Sequence, residues 1–423
     1  MAKKLISKAF TYLLGTGLNS AIPFLLLPIF TRYLSPSDMG RVAMYQSALA
    51  IIVVAIVLYT PTSTSARFFR SGKENLAEYI GTGTILSSCI ALALAAALGF
   101  SQSLIERYTG LSYETTLLAI GAAFLQLFIN IKLKLFQMEG RATGYSALQN
   151  LNTLLIMLLS IALVVPFSLG WLGRVWGQFL ATTLTASVVF FLMLKRDELR
   201  IRWNKHYARE ILEYGLPLIP HGIGTLAAIF INRTFLINMT DLAEVGYYMV
   251  ATQLTSIITI CATALNQAYA PWLYKKLSLG NLSPRERLRI VKGTYLQFSI
   301  MLCGAFLFSV CSPFFISIFL DSSYTGVIKY IPFLATACAF NGMYFMVTNY
   351  LFFHKKTGRL GSLSASLALL AILLTPICIR TFGPIGVALA TLISNIFLFF
   401  VTWFMSMKVE QMPWSLFLRN SSR

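Results

Sequence analysis

Apolar residues occur along this chain in runs of roughly 20, each closed by a short polar turn, about the length an α-helix needs to cross a hydrocarbon core. The runs show no in-out alternation of period two, which a membrane β-barrel would need. Helices are then the element that satisfies its own backbone in lipid. The pattern predicts spans at approximately 10–31, 42–65, 79–100, 115–135, 147–167, 172–194, 211–237, 246–272, 293–320, 328–353, 360–380 and 384–407. The expected fold class is an all-α polytopic membrane protein with twelve transmembrane helices. The opening MAKKLISK resembles the basic start of a signal peptide, but the apolar run after it is long and no small-residue cleavage site follows. It is expected as an uncleaved first helix.

The polar turns repeat. IFTRYLSPSDMGRVAMYQ (29–46) and FLINMTDLAEVGYYMVATQ (235–253) each place an acid two positions before a glycine, Asp38 before Gly40 and Glu244 before Gly246. GWLGRVWGQFLATTL (170–184) and GPIGVALATLISNIF (383–397) both open a span with glycines three apart. FQMEGRATGYSAL (136–148) and FHKKTGRLGSLSA (353–365) are both basic turns between spans. Three signals in one order divide the chain into an N-terminal lobe, 1–200, and a C-terminal lobe, 201–423. The linker is about 195–213, within the polar stretch 195–215, expected to carry an amphipathic surface helix. An even number of spans per lobe makes the repeats parallel, the plan of alternating-access transporters with a substrate path between lobes. The expected architecture is two pseudo-symmetric six-helix bundles around a central cavity.

Composition agrees and refines this. The chain is 57% hydrophobic and 12% charged, against about a quarter charged in soluble domains. Its net charge of +19 could point to nucleic acid, but the basic residues are distributed by side. With both termini on one side, only Arg32, Arg41, Arg107, Arg174, Arg233, Lys329 and Arg380 fall on the other. That positive-inside bias places both termini in the cytoplasm and leaves no nucleic-acid partner to explain. Six scattered cysteines lack metal spacing. His221 is the only histidine inside an expected span, and a structural role there outweighs a proton-relay role. No metal, cofactor or catalytic group is expected.

No acid stands near the centre of a span, whereas bases reach further in. Arg32, Arg174 and Arg233 sit near the outer ends of spans 1, 6 and 7, and Arg67 near the inner end of span 2. Lys132 and Lys134 lie in the inner third of span 4, about 200° apart around the helix, so one at most faces a cavity. Lys132 is expected there, one turn beyond Gln126 and Asn130. Such cations either snorkel to the headgroups or line water. The amides Asn19, Gln126, Asn130, Asn232, Asn266, Gln267 and Asn341 also stand amid apolar residues. One alone would usually join helices. Several on cleft-lining helices suit a wet cavity for a hydroxyl-rich ligand, and the cations suit phosphate. Paired prolines in spans 1 and 7, Pro23 with Pro28 and Pro217 with Pro220, permit bends.

TRYLSPSDMG, EGRATGYSALQNL, the Gly-x-x-Gly openings of spans 6 and 12, and twelve spans in two lobes together resemble the polysaccharide transporters of the multidrug/oligosaccharidyl-lipid/polysaccharide (MOP) exporter superfamily. The likeness is to the O-antigen and capsule repeat-unit flippases called Wzx. The resemblance implies a bacterial inner-membrane protein that moves an undecaprenyl-diphosphate-linked oligosaccharide to the periplasmic leaflet, among other polysaccharide assembly proteins. It maps a cationic cavity onto Arg32, Arg67, Lys132, Arg174 and Arg233. A cation-coupled drug exporter of the superfamily, which tends to carry a membrane-embedded acid in its first lobe, is the alternative. An oligosaccharide polymerase is a further one, disfavoured because every expected outer loop is short.

Overall fold

The computed structural model describes residues 19, 22–72, 74–279, 282–354 and 357–414. The amino-terminal half of span 1, with Lys3, Lys4 and Lys8, and the C-terminal tail with Arg419 and Arg423 lie outside them. All regular elements among the described residues are helical. Span 1 appears as α1, Ile22–Tyr33. Span 2 is split into α2, Pro36–Val57, and α3, Thr60–Ser71. Spans 3 to 6 are α4, Leu76–Phe100; α6, Tyr113–Met138; α7, Ala142–Val164; and α8, Gly170–Lys195, with the short α5, Gln102–Thr109, before α6. The linker holds α9, Lys205–Gly215. Spans 7 to 12 are α10, Ile219–Met239; α11, Leu242–Leu277; α12, Pro284–Phe319; α13, Ile331–Phe353; α14, Thr357–Phe382; and α15, Gly386–Val409. Every span expected after the first therefore has its helix.

The polar residues that open α2 and α11 are caps. Ser35 caps α2 in a capping box with Asp38, and the Asp241 carboxylate accepts the Glu244 amide at the start of α11. The glycines themselves are contact points. A Cβ on Gly40 would lie 2.1 Å from the Leu242 carbonyl oxygen, and one on Gly246 only 1.9 Å from that of Pro36.

The Gly-x-x-Gly openings are alike in backbone as well. Gly170 and Gly383 both take left-handed φ, 56° and 66°, which glycine adopts without steric cost. Three residues later, Gly173 lies against the backbone of Leu163 and Gly386 against that of Cys378, each in the preceding helix. Small residues continue at four-residue spacing, Gly177 and Ala181 in α8, Ala390 and Ser394 in α15, all buried. This small-residue stripe lets α7 and α8 approach closely in one half and α14 and α15 in the other.

Packing divides the chain into two compact units, Met1–Gly246 and Tyr247–Arg423. The boundary expected from the sequence is near residue 200, one span earlier. The difference is α10, which packs on α2: Arg233 of α10 donates to the Ala43 carbonyl at 2.8 Å and to the Ser47 hydroxyl. The linker also belongs to the first unit. After a turn at 196–198, residues 199–204 run along α4, with the Arg200 amide donating to the Ala77 carbonyl at 3.0 Å and Thr82 to that of Arg202 at 2.9 Å. Gly81 makes room, since a Cβ there would lie 1.8 Å from the Arg200 oxygen. The expected amphipathic helix follows as α9, burying Tyr207, Ala208 and Ile211.

Candidate functional site: an amide-lined cavity with an unpaired guanidinium

Within the first unit, α2, α6, α7, α8 and α10 line an open cavity of about 510 Å³. Its polar lining is Gln46 of α2, Gln126 of α6, Thr153 of α7, and Arg174 and Gln178 of α8. The rest is aliphatic, and among the described residues no acid lines it.

Arg174 is positioned by the close seam just described. A Cβ on Gly177 would sit 2.5 Å from the Ser160 Cα, so the glycine brings α7 near enough for Arg174 Nη1 to donate to Ser160 Oγ at 2.7 Å. The guanidinium also stacks over Phe30 of α1, 5.0 Å from the ring centroid. Among the described residues it meets no carboxylate. A hydroxyl and a ring face leave most of its five donors for something else. A guanidinium so placed, with neutral amides around it, can fork onto a phosphate or carboxylate while the amides receive hydroxyls.

Asn19 belongs to the same neighbourhood, since Thr153 donates to its side-chain oxygen. Asn130 lies one turn beyond Gln126 on α6, on a second, smaller cavity with Lys134. Here the expectation for the two lysines is corrected. Gln126, Asn130 and Lys134 are successive i, i+4 positions and form one stripe of α6, so Lys134 is the lysine beside the amides. Lys132 points the other way, is 3% exposed, and pairs with Glu198 just after α8.

The remaining expected residues are elsewhere. Arg67 is held between the rings of Tyr79 and Tyr207, at 4.9 and 4.4 Å from the centroids, and pairs with Glu210 at 2.7 Å. It ties α9 to α3 and α4 and does not face the cavity. Arg233 bonds α10 to α2, next to Asn232, which is buried in α10. Arg32 is exposed at the end of α1. In the second unit the amides serve one another. Asn349 donates to Asn266 at 2.8 Å, Asn341 to Asn395 at 3.4 Å, and Gln267 is exposed. Residues the sequence reading passed over, Gln46, Thr153 and Gln178, were legible only as single polar positions on apolar helices.

Comparison with known proteins follows the same line. The family described as polysaccharide biosynthesis protein matches residues 5–276. Protein 1 of the Lsg locus of Haemophilus influenzae is 24% identical over 96% of this chain and 99% of its own length. A multidrug resistance MATE family transporter of the MOP superfamily, solved in an inward-facing conformation, shares the fold with a TM-score of 0.71 at 17% identity, over 92% of this chain and 94% of its own. A MOP superfamily transporter from Pyrococcus furiosus, described by the reverse polarity of its binding pocket, aligns over 96% of this chain and 95% of its own, with a TM-score of 0.59 at 17% identity.

Proposed function

The chain belongs to the polysaccharide biosynthesis protein family, as a multi-pass transporter of the MOP superfamily, and on that premise we propose that it is a flippase for lipid-linked oligosaccharide. The cargo is an undecaprenyl-diphosphate-linked repeat unit of O-antigen or capsule, carried from the cytoplasmic to the periplasmic leaflet of a bacterial inner membrane, with both termini cytoplasmic. One observation carries this reading: Arg174 presents a guanidinium with no carboxylate partner to a cavity whose other polar lining is neutral amide and hydroxyl. That combination receives a phosphate and sugar hydroxyls together. The lipid tail would stay in the bilayer while the head group passes by alternating access.

The test is genetic and direct. A strain lacking the gene accumulates single lipid-linked repeat units on the inner leaflet, whereas loss of a polymerase leaves them on the outer leaflet. Complementation with Arg174→Gln at equal protein level restores less than a tenth of the surface polysaccharide. Full restoration removes Arg174 from the transport path.

The MATE neighbours favour a second reading, a multidrug exporter. A cation-lined cavity without an acid repels cationic drugs, so this reading requires that deletion raise drug sensitivity while leaving surface polysaccharide intact.

A further inference from the structure

Span 2 is broken where a second cavity opens. Two adjacent residues that are not glycine, Leu58 and Tyr59, both take left-handed φ, 50° and 55°, and α3 restarts at Thr60 with Pro61 in its first turn. Strained backbone of this kind persists where the surroundings hold it and clusters at binding sites. Tyr59, Pro61 and Thr62, the start of α3, line a cavity of about 310 Å³ with Asn130, Lys134 and Gln137.

Lys134 supplies the charge. Its ammonium donates to the neutral Gln137 oxygen at 3.0 Å and meets no carboxylate among the described residues. Its near neighbour Lys132 is neutralised by Glu198. The contrast separates a lysine that serves the fold from one left for a ligand.

The two cavities share Val53 and Val54 as wall, so they adjoin. Gln126, which lines the Arg174 cavity, and Lys134 lie eight residues apart on α6, which at 1.5 Å per residue is about 12 Å. Arg174 and Lys134 therefore stand on different cavities, each with its own neutral polar lining.

We propose that the cavity at the break in span 2 is a second anion site, centred on Lys134, which takes the phosphates of a lipid-linked diphosphate at a different station from Arg174. This rests on the flippase reading and adds a stepwise passage: the head group is held at Lys134, then at Arg174. Neither cation need bind tightly, because each hands over to the next.

Calorimetry of purified full-length protein with geranyl diphosphate at low salt tests it, with geraniol as the uncharged control for micelle partition. Wild type is expected to take two equivalents of geranyl diphosphate and no geraniol. Lys134→Gln and Arg174→Gln should each take one, and Lys134→Arg, which keeps the charge, should keep both. A wild type that takes one equivalent, lost in Arg174→Gln and kept in Lys134→Gln, overturns the second site and leaves the flippase reading standing. No binding at all by wild type overturns both. Should Lys134→Gln not fold, acetylation of Lys134 in the wild type, read by mass spectrometry, should fall several-fold with geranyl diphosphate present. Unchanged acetylation overturns the proposal.

Discussion

Two lysines two residues apart on one helix have opposite fates, and the sequence contains the reason for only one of them. The i, i+4 stripe Gln126, Asn130, Lys134 is plain arithmetic on a 3.6-residue period and places Lys134 beside the amides. That Lys132 finds Glu198, 66 residues on and past the end of α8, depends on how the linker folds back along α4, which no periodicity reports. Glu198→Gln should leave a buried ammonium uncompensated and cost about 3 kcal/mol. The double variant Lys132→Met/Glu198→Leu should recover most of that, since a buried pair can often be replaced by apolar groups of similar volume. Chemical unfolding of the purified variants measures both. Arg67 makes the same point. Its position near the end of an apolar run suited a cavity cation equally well, and only the approach of Tyr79, Tyr207 and Glu210 shows it as a fastening for α9. Arg67→Ala should cost about 2 kcal/mol, the worth of a charged hydrogen bond with its stacking. Limited proteolysis between residues 203 and 215 should rise. Flipping should fall no further than the amount of folded protein.

At the scale of the helix, the repeat was the most legible feature, because glycine and capping acids carry local backbone requirements that survive in sequence. The left-handed pair Gly170 and Gly383, and the close-contact pair Gly173 and Gly386, are one device used twice. The segments after α8 and α15 are also alike in contact. After α8, Glu198 pairs with Lys132 of α6 and the chain bonds to α4. After α15, Glu410 pairs with His354 at the end of α13 at 2.8 Å, and Gln411 and Trp414 accept from Arg287 and Tyr295 of α12. Each half thus ends in a strap across its own third and fourth spans. The sequence shows little of this, as the straps share an acid and a tryptophan and not their spacing. The seam between α7 and α8 has a functional consequence. Gly177→Ala pushes a methyl into the Ser160 backbone at 2.5 Å and should cost about 2 kcal/mol by overpacking. It should also lower flipping beyond the loss of folded protein, because Ser160 can no longer steady Arg174. A transport rate that simply tracks protein level would break the link between seam and site.

For the molecule as a whole, the Arg174 cavity lining, which holds no acid among the described residues, bears on how transport is driven. An inside-negative potential favours outward movement of anions by about 2.3 kcal/mol per charge per 100 mV. A diphosphate carried on fixed cations can therefore draw on voltage without a proton cycle at the site. In proteoliposomes clamped with potassium and valinomycin, flipping should rise with inside-negative potential and change little with a pH gradient alone. The helix count and class were readable because lipid admits few solutions. The division at Gly246 was not, since α10 opens the second repeat in sequence yet packs on α2. The most direct test of the central claim is flipping of a fluorescent undecaprenyl-diphosphate oligosaccharide by the purified protein in liposomes, wild type against Arg174→Lys and Arg174→Gln. The account predicts transport by wild type, a reduced rate with lysine, which keeps charge but loses the fork, and at least a tenfold loss with glutamine. Equal rates in all three folded proteins would contradict it.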